Sequence, residues 1–225
     1  KMPTAWEETW GTSLGTGIDL PKGVSSSMNI GYSSPSVLGT TLKLAYAPQN
    51  DGGVNNDKGV SGGNGSYKGS GYDITLTATD ELTGMAGLTL YAGMSATENE
   101  SGQTNMDGDI EEMTYAITYA AGGFTVGYQY SEEDNGRSAG AQEYENTAYG
   151  ITFNVNDDLS IGYNNYESDQ TNTTNVTAKA SSIQAAYTFG GATIRLAEAT
   201  VDNAKYQTTA MYDKDATTLS VSLAF

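Results

Sequence analysis

The chain has 225 residues, and its 27 acidic and 10 basic side chains give a net charge of −17, which argues against nucleic acid as a partner. It contains no cysteine and no histidine, so disulfides and thiolate chemistry are excluded and the commonest general base and metal ligand are absent. No apolar run approaches the roughly 18 residues of a transmembrane helix, and no catalytic residues or cofactor are predicted, so the protein is not expected to be an enzyme.

Residues 1–22 fit neither the helical nor the strand period, and we interpret them as a loop carrying Glu7, Glu8 and Asp19. From about Ser25 to the end, apolar and polar residues alternate with a period of two, which is typical of strands with one apolar and one polar face. The pattern predicts about eleven strands of roughly ten residues, the length a tilted strand needs to cross a bilayer.

The connections between these strands alternate in length. Short connections with turn-forming residues are predicted at 34–36, 80–86, 122–123, 156–158 and 190–191. Long polar connections are predicted at about 48–69, 97–110, 132–142, 169–176 and 202–213. If the C-terminus lies at the short-turn end, every long connection falls at the opposite end, which is the layout of an outer-membrane barrel.

The face opposite the apolar one carries polar residues, among them Asn29, Lys43, Asp73, Glu112, Gln129 and Arg195. Side chains of this kind stay hydrated inside a water-filled tube, whereas a soluble sandwich or barrel needs an apolar interior. We therefore predict an all-β, antiparallel transmembrane β-barrel with these six residues lining its lumen. A secreted soluble β-protein, a sandwich or a solenoid, is the alternative in which the apolar face is hidden.

The last strand, 217–225, alternates apolar Leu219, Val221, Leu223 and Phe225 with small or polar residues. This strand resembles the closing strand of bacterial outer-membrane barrels, in which a terminal Phe serves as the assembly signal. Phe225, Leu223 and Val221 are the residues that match this signal. With the strand pattern, the whole chain resembles the general diffusion porins of Gram-negative bacteria, especially the small alphaproteobacterial type.

The resemblance implies a sixteen-stranded homotrimer whose third long loop folds inward as a constriction. Residues 1–22 would then correspond to the constriction loop, with Glu7, Glu8 and Asp19 in it, and residues 23–225 to barrel strands. Eleven strands would make the chain a C-terminal fragment that lacks about five strands. The alternative is one further strand inside 1–22, which would give a complete twelve-stranded barrel, because bacterial barrels have even strand numbers.

These features predict a porin of the Gram-negative outer membrane through which ions and small hydrophilic solutes diffuse passively. The excess of carboxylates predicts mild cation selectivity, since rings of carboxylates favour cations. Expected partners are outer-membrane lipid, lipopolysaccharide and the other subunits of a homotrimer; weak divalent-cation binding by the acidic loops is a further expectation. The alternative function is a non-channel barrel, an adhesin or structural anchor, that acts through its acidic surface loops.

Overall fold

The computed structural model describes residue 2 and residues 14–24, 28–48, 68–99 and 105–223. The eleven strands within these ranges form one antiparallel sheet in which they lie side by side in chain order from β1 to β11, so the prediction of an all-β chain with eleven strands is confirmed. The strands are β1 Ile30–Ser33, β2 Thr40–Ala47, β3 Lys68–Ala78, β4 Leu88–Asn99, β5 Ile110–Ala121, β6 Phe124–Asp134, β7 Glu143–Asn154, β8 Leu159–Thr171, β9 Val176–Phe189, β10 Ala192–Asp202 and β11 Lys214–Leu223.

Two of the short connections, β5–β6 and β9–β10, owe their form to glycine pairs. Gly122 and Gly123 join β5 to β6 with φ of 57° and 85°, and Gly190 and Gly191 join β9 to β10 with φ of 50° and 83°. A two-residue hairpin loop with positive φ at both positions follows the twist of its strands, and glycine adopts it without steric cost. These turns fix the register of both hairpins, and with it the face on which each side chain lies.

Helix is nearly absent from the described residues. One four-residue helix, α1 (Asp80–Thr83), joins β3 to β4 and ends at Gly84 with φ of 71°. Two 3-10 turns, Ala204–Tyr206 and Ala210–Tyr212, lie between β10 and β11. No helix in the part of the chain that the structure describes is long and apolar enough to cross a membrane.

The long connections lie at the end of the sheet opposite the short turns, as predicted, with one difference in length. Strand β8 continues to Thr171 and β9 begins at Val176, so the connection predicted at 169–176 has only the four residues 172–175. The salt bridge from Lys179 to Glu167, at 2.6 Å, and a hydrogen bond from Thr177 to Asp169 extend this hairpin with polar pairs. Much of the connection at 48–69 and part of the connection at 97–110 lie outside the described residues.

The two faces of the sheet differ in the way the alternation predicts. We define the outer face as the one that carries the apolar positions, which are strongly exposed; Ile183, Leu219 and Leu223 are 65%, 66% and 64% exposed. The opposite, inner face carries small and polar residues and is covered in part by residues 14–24, which we name the crossing segment. The crossing segment contains no strand, so the described part of 1–22 does not supply a twelfth.

Candidate functional site

The register of the sheet brings the polar residues singled out in the sequence onto the inner face. Lys43 lies opposite Thr75, and Asp73 lies opposite Ser95. Ser95 in turn lies opposite Glu112. Gln129 and Arg195 occupy the same face farther along the sheet, and Asn29 immediately precedes β1 in the same alternation. Lys43 and Asn29 are exposed, whereas Asp73, Gln129 and Arg195 are half-buried.

The crossing segment packs on the inner face through three apolar side chains. Leu14 is buried against Ala180, Ala199 and Val201 of β9 and β10, together with Ala204. Ile18 packs against Tyr144, Ala178 and Tyr206, and Val24 is buried against Ala47 of β2. The segment therefore spans the inner face from β10 to β2. It lies close to the wall because the wall residues beneath it are mostly alanines, which leave room for its larger side chains.

Two carboxylates hold the Val24 end of the segment. The backbone N–H groups of Lys22 and Gly23 donate to Oε1 and Oε2 of Glu112 at 3.0 and 2.8 Å, and the N–H of Val24 donates to Oδ2 of Asp73 at 3.2 Å. The hydroxyl of Ser95 also donates to Oε2 of Glu112. Hydrogen bonds to charged acceptors are about twice as strong as neutral ones. This anchor therefore fixes three consecutive amides of the segment.

Gly23 is required at the centre of this anchor. Its φ is +59°, and a Cβ built on it would lie 2.7 Å from Oδ2 of Asp73. A left-handed backbone costs an ordinary residue roughly 1–2 kcal/mol, and the contact with Asp73 adds to that cost. The glycine lets the backbone approach the two carboxylates closely enough for all three bonds.

A tyrosine holds the other half of the segment. The N–H of Asp19 donates to the hydroxyl of Tyr206 at 3.0 Å, and that hydroxyl lies 2.7 Å from Oγ of Ser168. The N–H of Lys205 donates to the carbonyl of Thr16 at 2.7 Å. Burial raises the pKa of Tyr206 to about 12, against the lowering effect of its hydrogen bonds to Ser168 and to the backbone of Asp19. Tyr206 is therefore a neutral donor and acceptor at physiological pH.

The charged side chains of the crossing segment form an ion pair. Nζ of Lys22 lies 2.7 Å from Oδ1 of Asp19, with the lysine side chain 49% exposed and the aspartate 21%. Burial acts to lower the pKa of Lys22, but the hydrogen bond and charge of Asp19, with the charges of Glu133 and Glu112, raise it overall. The lysine therefore stays charged and offsets part of the acidic charge beside it.

Glu112 is more enclosed than a residue that simply lines a water-filled channel. It is 6% exposed, and its cross-strand neighbour on β6, Glu133, is 1% exposed. Like charges directly opposite each other on a sheet repel, so this pair depends on the donors supplied by the crossing segment and by Ser95. Sequence reasoning placed Glu112 on the correct face but missed Glu133, Ser95 and Tyr206. Strand parity puts the first two on the inner face, whereas nothing in the sequence marks Tyr206.

The remaining predicted residues divide between described and undescribed parts. Val221 and Leu223 lie on the outer face of β11, 59% and 64% exposed, and their role as an assembly signal stays a prediction. Phe225, Glu7 and Glu8 lie outside the described residues. Among the residues that are described, no three or more acidic side chains converge into a group able to hold a metal ion. Weak divalent-cation binding stays a prediction.

Comparison with solved structures identifies the fold. An anion-selective porin from Comamonas acidovorans matches with a TM-score of 0.67 at 13% identity, covering 94% of this chain and 65% of that one. Salmonella typhi OmpF in complex with daunomycin matches with a TM-score of 0.63 at 15% identity, covering 86% and 60%. A porin refined at 1.8 Å resolution matches with a TM-score of 0.59 at 15% identity, covering 88% and 61%. The chain thus spans about three-fifths to two-thirds of the length of these porins.

Family membership follows from the sequence itself. No curated protein sequence matches this chain. The model of the Gram-negative porin family, however, matches residues 2–209, which include the whole crossing segment and ten of the eleven strands. The predicted resemblance to porins is confirmed, and the sheet, with its polar inner face and apolar outer face, is that of an outer-membrane barrel. The chain belongs to the Gram-negative porin family.

Proposed function

We propose that this chain forms part of the wall of a water-filled outer-membrane channel through which ions and small hydrophilic solutes diffuse passively. The observation that carries the proposal is the crossing segment, which three backbone N–H groups tie to Asp73 and Glu112 on the polar inner face. A segment held against one side of a tube narrows the tube without filling it. The residues beneath the crossing segment are small, which argues against a lumen filled by side chains, the arrangement that a non-channel anchor would need.

We further propose that the crossing segment belongs to the constriction, with Asp19 facing the solute path and Glu7 and Glu8 on the same stretch of chain. Asp73 and Glu112 are engaged in holding the segment, so their charges reach the solute path less directly than those of Lys43 or Arg195. The fold itself does not set the sign of selectivity, because it is shared with a porin named as anion-selective. Mild cation selectivity therefore rests on the acidic excess of this chain's own residues.

Single-channel recording in a planar bilayer, with the full-length protein and a KCl gradient, tests this proposal. We expect stepwise openings, in groups of three if the protein is a homotrimer, and a cation-selective reversal potential. Lys43→Glu, on the exposed part of the inner face, should increase cation preference. Lys179→Glu makes the same charge change on the outer face and should leave the reversal potential unchanged.

A folded protein that leaves the bilayer silent would overturn the channel and favour the structural anchor. Equal shifts of the reversal potential in the Lys43 and Lys179 variants would refute the assignment of the inner face to the solute path. The number of strands in the complete barrel stays a prediction, and the two edges of the described sheet are β1 and β11.

A further inference from the structure

The outer face carries a groove that is apolar along its floor and acidic at one end. Its volume is about 830 Å³, and it runs across β3 to β8. The floor consists of outward-facing apolar side chains, Tyr72, Ile74, Leu76, Met94, Met113 and Tyr115. These continue the apolar alternation of the outer face, so the floor of the groove lies against the hydrocarbon of the bilayer in an outer-membrane barrel.

The acidic end is built by the register of three neighbouring strands. Glu132 of β6 lies opposite Glu145 of β7, which lies opposite Asp169 of β8. We name these three residues the acidic row. A second row beyond it brings Glu111 and Asp134 side by side. These five carboxylates line the groove together with Glu143, which lies opposite Asp134, and the described lining contains no lysine or arginine.

The height of the acidic row places it at the membrane surface. Glu132 is eight residues from Phe124, which follows the short turn at the other end of β6. At about 3.4 Å per residue and a tilt of about 40°, this distance corresponds to about 21 Å along the membrane normal. The apolar band of such barrels is about 25 Å tall, so the acidic row lies at its upper boundary, level with lipid headgroups.

The spacing of the carboxylates selects the kind of cation. Directly opposite side chains on a sheet have Cβ atoms about 5 Å apart. In the described residues no acidic group converges closely enough to hold a metal ion. Ammonium groups need no convergent cage, since each hydrogen-bonds one or two carboxylates at about 2.7–2.9 Å. A row of separated carboxylates therefore suits the ammonium group of an organic cation better than a bare metal.

We propose that this groove binds an amphiphile with a cationic headgroup, a membrane lipid whose acyl chain lies on the apolar floor and whose ammonium group contacts the acidic row. The floor and the acidic row together match the two halves of one such molecule. The acyl chain is removed from water on the apolar floor, and the positive headgroup lies against the negative carboxylates of the acidic row. This inference rests on the proposed placement of the outer face in the bilayer, but it does not depend on conduction.

Electron spin resonance of spin-labelled amphiphiles tests the proposal. The full-length protein is reconstituted in phosphatidylcholine vesicles with a chain-labelled primary alkylammonium, a fatty acid carrying the same label, or the labelled phosphatidylcholine. We expect the cationic probe to be immobilised at the protein surface in preference to the other two. The triple variant Glu132→Gln, Glu145→Gln, Asp169→Asn should reduce this preference at least about threefold, given the strength of exposed ion pairs.

A matched triple variant provides the control. Glu198→Gln, Asp202→Asn and Asp215→Asn remove the same charge from the outer faces of β10 and β11, at the same end of the barrel but outside the groove. The control should keep the wild-type preference. If both variants lose the preference for the cationic probe equally, the preference depends only on the net charge of the protein, and the proposed site is refuted.

Two further results would overturn the proposal. One is preference for the anionic probe that appears only with Ca²⁺, which would indicate divalent bridging. The other is a change of oligomeric state in the groove variant without a change in probe selectivity, which would make the groove a subunit contact. Channel recording on the same preparations separates this question from the proposed function, since a conducting protein without probe selectivity refutes the groove alone.

Discussion

Glu112→Gln is the substitution that most directly tests the anchor of the crossing segment. The two carboxylate oxygens of Glu112 accept different amides, Oε1 that of Lys22 and Oε2 that of Gly23. Glutamine keeps the shape of the side chain but offers only one acceptor oxygen, and its NH₂ group faces the second amide as another donor. One bond is therefore lost, and the other loses its charged acceptor.

The magnitude follows from these bonds and from the neighbouring carboxylate. Loss of a hydrogen bond to a charged group costs about 1.5–3 kcal/mol. The variant also relieves the repulsion between Glu112 and Glu133, a gain of about 0.2–1 kcal/mol for an opposed pair on a sheet. The cost of the lost hydrogen bond is larger than this gain. A net loss of about 2 kcal/mol in the free energy that holds the crossing segment closed corresponds to roughly 30-fold more frequent opening of the segment.

Hydrogen exchange is the suitable assay because it reports on individual amides. Loss of the anchor acts on the amides of the crossing segment, whereas relief of the repulsion between Glu112 and Glu133 acts on β5 and β6. The amides of Lys22 and Gly23 should exchange roughly 30-fold faster in the variant at constant pH, if exchange follows opening of the segment. Glu111→Gln is the matched control, because Glu111 directly precedes Glu112 and its side chain lies on the outer face. This variant should leave the exchange rates of both amides unchanged. Unaltered exchange at Lys22 and Gly23 in the Glu112 variant would refute the anchor.

Three other changes test separate parts of the structure. Gly23→Ala should also accelerate exchange at the anchor, because its φ of +59° and the 2.7 Å approach to Asp73 leave no place for a Cβ; exchange at the wild-type rate would contradict the strain. The pKa of Tyr206, raised by burial to about 12, predicts a contribution to stability that is complete below pH 10, falls between pH 10 and 12 and is lost above. Tyr206→Phe should remove this dependence of the urea midpoint and, in the tyrosine absorbance titration, the group that titrates near 12; titration of all tyrosines near 10 would argue against its burial. Leu219→Lys, at a position 66% exposed on the outer face, should destabilise the membrane-inserted barrel by about 2–4 kcal/mol near the bilayer midplane, and an unchanged urea midpoint in lipid would place β11 away from lipid.

The strands and their faces could be predicted because period-two alternation is a local property. Leu219, Val221 and Leu223 differ from their neighbours in a way that any sheet pairing preserves, and the glycine pairs mark the hairpins independently. The eleven strands and the outer face therefore follow from the sequence alone.

The crossing segment and the β8–β9 hairpin could not be predicted to the same degree. The contacts of the segment join residues 49 to 200 positions apart, such as Val24 with Asp73 and Leu14 with Lys214, and no local pattern encodes such pairs. The Asn-rich and Thr-rich stretch at 169–176 has the composition of a loop, yet pairs such as Asp169 with Thr177 continue the ladder. Cross-strand partners here override local composition.

The length of β8 and β9 has a consequence for what the cell displays. At about 3.4 Å per residue and a tilt of about 40°, the fourteen residues of β9 rise about 36 Å, roughly 10 Å more than the apolar band. The surplus is a hydrogen-bonded ribbon closed by only four residues, 172–175. Antibodies or phage that approach from outside would thus meet a stiff ridge of fixed shape at this point, a surface that favours recognition of conformation over recognition of a linear peptide.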